Sequence, residues 1–397
     1  MSVLSVTVII LGCIAVGEIL SALSKARIPS ILVAMLLAFV LANLGFLPYE
    51  MAMASALVAF GSWAQSAVMI HMGSLIPIGK LLVQWRPVAI AVSGIVMAAA
   101  FVLGIGTWLY GFDIAAASVG PMTGGLVATT LMNEGLQGIP DLDPMALMIP
   151  SMLLMVQCLP GMPVASTLLR RYALAHRETL TPEPGPEVGD VEDHIDEDGD
   201  LNDGHRTLIR LPDAIADNAY FALFMAVALG WVARVLEDAT GVSYSLWGLA
   251  IGFIGAYIGL VPRRPLEKAG SFGIIMASLV FLVIVPLTGF TFADLASIAG
   301  ILVVMMIAGF GGVFLGGAIM TKLVGWDLRL GIPVALTSTF GFPADYMISQ
   351  EVVKATGRTP KEREALREQI LLPMLIGGFS TVSAGAIVIV SIILSVL

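Results

Sequence analysis

Ten apolar runs constrain this chain more than any other feature; they lie at 3–22, 29–47, 54–79, 86–110, 144–169, 214–236, 242–262, 270–290, 293–320 and 370–396. Each is close to the ~20 residues a helix needs to cross the hydrocarbon core of a bilayer. Backbone in lipid must satisfy its own hydrogen bonds, which leaves helices or closed barrels, and continuous runs of this length read as helices. Composition agrees: 58% of residues are apolar, 12% are charged and mean hydropathy is +0.94, where soluble domains carry roughly 25% charge. The expected class is an all-α integral membrane protein whose first solvent partner is the lipid bilayer. The first run has no basic stretch before it and continues to spanning length, so it reads as the first span and not as a cleaved signal. Cys13 and Cys158 sit inside apolar runs and read as packing residues, not as a disulfide or half of a metal motif.

Two further apolar stretches, 114–135 and 328–350, are interrupted by Gly, Pro, Thr, Ser and Asp. They read as re-entrant hairpins, because irregular backbone at membrane depth is tolerated where protein or a water-filled cavity satisfies it. Basic residues mark the cytoplasmic side of short loops. Lys25 and Arg27, Lys80 and Arg86, and Arg170, Arg171 and Arg177 fall at alternate span ends of the first half. Arg206 and Arg210, Arg263, Arg264 and Lys268, Lys322 and Arg329, and the group from Lys354 to Arg367 do the same in the second. With hairpins that do not cross, every cluster falls on one side, and both termini fall outside.

The halves also echo each other. "GFLP" at 45–48 matches "GLVP" at 259–262, and "GFD" at 111 matches "GWD" at 325, both at an offset of 214; Gly61-Ser62-Trp63 matches Gly270-Ser271-Phe272 at 209. Each half holds five spans and one hairpin, an odd number of crossings, so the second copy is expected upside down. The domain reading is a first repeat over 1–172, an acidic linker over 173–210 and a second repeat over 211–397. Secondary transporters are often such inverted repeats, with broken segments meeting near the midplane to coordinate ions and substrate. In the first hairpin, Pro121, Gly124 and Gly125 allow a turn, while Thr123, Thr129, Thr130 and Asn133 supply hydroxyl and amide ligands. In the second, "TSTFGFPAD" supplies Thr337, Ser338, Thr339, Gly341, Pro343 and Asp345, with Thr337 paired to Thr123 at 214. The competing account is that Gly and Thr only let helices pack closely.

The same stretches carry a resemblance. Five spans with a hairpin between the fourth and fifth, repeated inverted about a cytoplasmic loop, resemble the sodium/glutamate symporters and the related 2-hydroxycarboxylate transporters. Their segment "GATPTAIANMQAIT" is similar to "GFPADYMISQEVV", which keeps Pro343 and Gln350 at the same separation, and their "SGGHGTA" is echoed by Thr123-Gly124-Gly125. The resemblance implies a sodium-coupled symporter of glutamate or another small carboxylate in a bacterial-type inner membrane. It further implies a homodimer in which a mobile domain carries the hairpins past a scaffold. Two departures bear on substrate: the family's histidine is Leu126 here, and an acid, Asp345, stands where the family has a small neutral residue. Asp345 is either a sodium ligand, a proton site, or a residue at the hairpin's aqueous mouth. The alternatives are a proton-coupled carrier of a different solute and an uncoupled channel or facilitator.

Other polar residues in apolar runs have simpler readings. His71 is a proton element or a packed, hydrogen-bonded histidine; Glu18 pairs with Lys25 or Arg27 or meets headgroups; Asp217 and Asn218 cap the sixth span. "GFGGVFLGG" at 309–317 reads as close helix packing, not nucleotide binding. Net charge is −9, but much of the acid lies in the linker, which has no Lys or Arg between Glu178 and Gly204 and reads as disordered. Its "DEDGDLNDG" is a poor calcium loop: counting from Asp198, Asp203 occupies the required glycine position. No Ser/His/Asp or Cys/His constellation, metal cluster or cofactor motif is present, so the chain is read as no enzyme. It needs no cofactor beyond Na+ or H+ and takes a small-molecule substrate, not a nucleic acid.

Overall fold

A computed structural model describes residues 2–74, 85–137, 139, 142, 144–176, 212, 218–241 and 244–397, with the side chains of a few positions inside helices excepted. Among them there is no strand. The helices are α1 (Val3–Ser24), α2 (Ser30–Asn43), α3 (Tyr49–Met53), α4 (Ala56–Ser74), α5 (Trp85–Tyr110), α6 (Phe112–Gln137) and α7 (Pro144–His176) in the first half. In the second half come α8 (Ala219–Thr240), α9 (Tyr244–Ile258), α10 (Pro265–Lys268), α11 (Phe272–Ile284), α12 (Phe292–Ser297) and α13 (Ala299–Leu323). They are followed by α14 (Leu328–Phe340), α15 (Ala344–Thr356), α16 (Pro360–Phe379) and α17 (Ala386–Leu394), with a π turn at Ser380–Gly385 between the last two. Lys80, Asp217 and the linker from 177 to 210, with Arg177, Arg206 and Arg210, lie outside the described residues; the linker's first four positions, 173–176, belong to α7.

Among the described residues six helices are long and apolar enough to cross a membrane: α1, α5, most of α7, α8, α11 with the 3-10 turn that continues it, and α13. The expectation of ten runs near 20 residues is not met by α2 and α9, which have 14 and 15 residues. At 1.5 Å per residue each is about 21–23 Å long. "GFLP" and "GLVP" explain the early stop. Gly45 (φ 83°) and Gly259 (φ 87°) adopt the left-handed conformation that ends helices, and a proline follows each. After α2 the Gly45 and Phe46 N–H groups turn back to the Ala42 and Leu41 carbonyls. At the other end of α8, Asn218 caps as expected, accepting from the Phe221 N–H at 3.0 Å.

Element starts recur at two close spacings. α1 and α8 begin at 3 and 219 (219 − 3 = 216), and α4 and α11 at 56 and 272 and α6 and α14 at 112 and 328 are again 216 apart, while α2 and α9 at 30 and 244 and α5 and α13 at 85 and 299 are 214 apart. Gly61 and Gly270, which match in sequence at 209, stand in different places. Gly61 lies inside α4, where an added Cβ would sit 2.6 Å from the Ser278 carbonyl oxygen, whereas Gly270 (φ 61°) turns the chain before α11. The two glycines therefore do different work.

Two neighbourhoods organise the packing. α4 is surrounded by α8, α9 and α11, while α5, α6 and α7 pack with α13, α14, α16 and α17. α1 pairs with α2, and both touch α11 or its continuation and α15. Glycine sets the closest crossings. A Cβ at Gly252 of α9 would lie 2.2 Å from the Ile70 carbonyl oxygen, and one at Gly316 of α13 would lie 2.3 Å from that of Ser93 on α5. Ser93 Oγ also donates to the Gly316 carbonyl at 3.0 Å. The "GFGGVFLGG" stretch is thus a helix-packing surface. Gly316→Ala is expected to cost about 1–3 kcal/mol, because the new methyl meets backbone that cannot swing aside. A melting temperature unchanged from the parent in detergent would contradict this.

Candidate ion and substrate site

Both interrupted stretches break at a glycine in backbone space that other residues rarely enter. In α6 the break is at Gly124 (φ −150°, ψ 20°) and Gly125 (φ 56°, ψ −134°); between α14 and α15 it is at Gly341 (φ 59°, ψ −168°). The first stretch folds back on itself: a Cβ at Gly120 would lie 3.0 Å from both the Ala128 carbonyl oxygen and the Met132 Cβ. In a straight helix Gly120 and Met132 would be about 18 Å apart along the axis. The two breaks approach each other, since a Cβ at Gly125 would lie 3.8 Å from the Ser338 carbonyl oxygen.

Gly125 and Gly341 are 216 positions apart, as are three of the pairs of helix starts. Thr123 and Thr339 each stand two residues before their break, and Thr337 stands four before.

A break leaves carbonyls without the donors a continuous helix would provide. Thr123, buried, donates from Oγ1 to the Val119 carbonyl at 2.9 Å and the Gly120 carbonyl at 3.3 Å, and Thr129 Oγ1 donates to the Gly125 carbonyl at 2.6 Å. The Pro121 carbonyl takes its donor from Gln157 Nε2 of α7 at 2.9 Å. That bond orients the amide, so Gln157 Oε1 faces away from Pro121, fully buried and unpaired. The sequence reading passed over Gln157; a lone amide inside the span "LLMVQC" was its only signal.

In the second hairpin Thr337, Ser338 and Thr339 are all buried and donate to the Val334, Ala335 and Leu336 carbonyls at 2.7, 3.0 and 2.8 Å. Each hydroxyl proton is used inside its own helix, which leaves oxygen lone pairs as the remaining capacity. Asp345 is completely buried, so it is not at an aqueous mouth. Its Oδ1 accepts from the Tyr346 N–H at 2.6 Å, and its Oδ2 has no partner among the described residues. Oδ2 lies against bare backbone, 2.4 Å from where a Cβ on Gly378 of α16 would be. Thr337 meets the same place, with Oγ1 3.4 Å from a Cβ on Gly377. Thr381, in the π turn, donates to the Gly377 and Gly378 carbonyls, both at 3.0 Å. The hydroxyl and glycine run "GGFST" inside the last apolar run was the missed signal for Gly377, Gly378 and Thr381. On α7, one turn beyond Gln157, Gly161 makes room for Thr339, whose Oγ1 lies 2.9 Å from a Cβ built there.

Two expected ligands stand elsewhere. Asn133 donates to Ser151 Oγ at 2.9 Å, tying the outgoing limb of α6 to α7. Gln350 donates to Tyr346 Oη at 3.2 Å and accepts from Arg367 at 3.5 Å, so it belongs to the basic end of α16 and not to the Asp345 cluster. The side chains of Thr130 and Leu126 lie outside the described residues.

His71 takes its packed reading further. It is fully buried in the last turn of α4, its Nδ1 accepts from the Leu266 N–H at 3.4 Å, and its Nε2 faces Glu267 Oε1 at 3.7 Å. Its ring lies against Phe272, which meets Tyr346, the residue after Asp345. Glu267 is on α10, outside the spans. Burial pushes its carboxyl pKa up, but His71 together with the Arg264 and Arg367 charges outweighs this and holds it below the usual value. A depressed folded pKa adds stability above the unfolded value, about 4.3, and that stability is lost as pH falls through the folded pKa. The melting temperature of the native protein is therefore expected to fall more steeply than that of Glu267→Gln below about pH 4.5; parallel curves would refute the assignment.

No protein-family model matches the chain, and no curated protein matches it either.

Proposed function

We propose that the protein is a secondary active transporter working by alternating access, with two inverted repeats and ten crossings. Its broken segments form one ion and substrate site. The observation that carries this reading is the unpartnered Oδ2 of buried Asp345, held beside the second of two glycine breaks that approach each other. An ionised carboxylate cannot rest unpaired in such a place, so it takes up a cation or a proton. The recurring 216 spacing supports the repeat, because a duplicated unit reproduces element order along the chain. The short helices α2 and α9 fit crossings completed by the flanking chain. The basic residues at alternate span ends support termini outside.

The sodium/glutamate symporter resemblance makes sodium the first coupling ion to test and a small carboxylate the first substrate, in a homodimeric inner-membrane carrier. A specific observation favours the proton as the second reading: Asp345 Oδ2 packs against Gly378 backbone, and a proton needs only one acceptor. Reconstituted vesicles decide between them. Uptake of a labelled mono-, di- or tricarboxylate driven by an inward sodium gradient supports the first. Uptake driven only by a pH gradient supports the second. Flux that never exceeds equilibration under either gradient would reduce the protein to a facilitator.

A further inference from the structure

α2 begins without a cap of its own. The residue before it is Pro29, which makes no side-chain hydrogen bond to the first turn, and a helix start leaves N–H groups that need acceptors. A carboxylate from the other half of the chain fills the place. Glu351, on α15, accepts from the Ser30 N–H at 3.2 Å on Oε1 and 3.4 Å on Oε2. Its Oε1 also accepts from Ser30 Oγ, and its Oε2 from Ser21 Oγ at 2.6 Å. Both serines are buried, so a single side chain docks the Asp345-bearing helix onto the α1–α2 corner. A negative group at a helix N-terminus gains from the aligned peptide dipoles as well as from the bonds themselves.

Two features make this contact a device and not just packing. First, Ser30 Oγ has a second acceptor within reach, Glu18 Oε1 at 3.3 Å. The single hydroxyl proton can serve only one carboxylate at a time, so Glu18 keeps Ser30 satisfied if Glu351 withdraws. A cavity of ≈ 210 Å³ lined by Glu18, Ser21, Lys25, Glu351 and Lys354 lies at the junction, giving the side chains room to part. Second, among the described residues the contact is seen on one side only. The position 216 residues before Glu351 is Gly135 on α6, which has no side chain and whose added Cβ would meet the Leu394 methyls at 2.3 and 2.6 Å. A contact made by one broken segment and not by its counterpart favours one arrangement of the two over the other.

We propose that Glu351 is a latch: it holds the Asp345-bearing limb of the second broken segment against α1 and α2, and its release lets that limb move. The proposal rests on the carrier reading, in which the broken segments change their exposure.

The test is thiol labelling of purified protein by a membrane-impermeant reagent. Val353→Cys, on α15 and only 4% exposed, is placed in a Cys13→Ala/Cys158→Ala background. Adding Glu351→Gln is expected to raise its labelling rate about tenfold or more, the effect of losing one charge-assisted hydrogen bond. Ser21→Ala should give a smaller rise through a different residue. Labelling of Val390→Cys, fully buried in α17, should not change. Equal rates at Val353→Cys with and without Glu351→Gln would overturn the latch, as would an equal rise at Val390→Cys, which would mean general loosening. A selective rise in a protein that carries no solute would keep the contact as a latch and sink the carrier reading instead.

Discussion

Asp345→Asn is expected to lower gradient-driven accumulation by about 100-fold or more while the protein keeps its fold and a melting temperature no lower than the parent's. The two halves of that expectation come from one observation. Asp345 is wholly buried, Oδ1 is held by the Tyr346 N–H, and Oδ2 has nothing to bond. A charge kept there without a partner costs several kcal/mol, so the native carboxylate must bind a cation or a proton to stay. Asparagine fills the same space, keeps an acceptor for Tyr346 and carries no charge, which removes the cost and the coupling together. Exchange of solute for solute in the absence of a gradient should survive, because it needs the site but not the charge. Undiminished accumulation by Asp345→Asn would remove Asp345 from the mechanism. A companion variant, Gly378→Ala, leaves the charge in place but puts a methyl 2.4 Å from the present position of Oδ2. It should weaken coupling without abolishing expression.

The second large effect is expected at the breaks themselves. Gly125 and Gly341 combine positive φ with strongly negative ψ, a region close to glycine-only. Placing a side chain there costs about 1–3 kcal/mol. Gly125→Ala and Gly341→Ala should each lower thermal stability by that amount and stop transport, because relieving the strain reshapes the place where the two segments meet. Gly12→Ala and Gly104→Ala are the matched controls: both lie in helices with nothing within 4 Å of an added Cβ. Alanine there should be neutral or stabilising by up to about 1 kcal/mol. Loss of stability at the controls equal to that at the breaks would show that the breaks are not special.

How much of this was legible beforehand depends on the kind of residue. Both broken segments could be read directly, since Pro, Gly and hydroxyl residues inside an apolar run violate the pattern of a lipid-facing helix. Asp345 stood out for the same reason. Gln157 did not, because one amide in a long span has no local pattern; its role appears only when Pro121, 36 positions away, is found to need its donor. Gln350 went the other way: a motif match put it in the site, but Tyr346 and Arg367 claim both ends of its amide. Glu18, read as pairing with Lys25 or Arg27 or meeting headgroups, is exposed, and it also accepts from Ser30, a contact no local pattern announces.

The sequence by itself determined the helical, membrane-type class and the two segments that break, because hydropathy, glycines and prolines act within a few residues of where they stand; its runs to 47 and 262 went past the ends of α2 and α9 at Asn43 and Ile258. Tertiary structure decided which polar atoms are left without partners among the described residues and where Glu351 docks. Those outcomes depend on donors and acceptors supplied from 36 to 330 positions away, and no local rule of periodicity or capping can say which distant atom arrives.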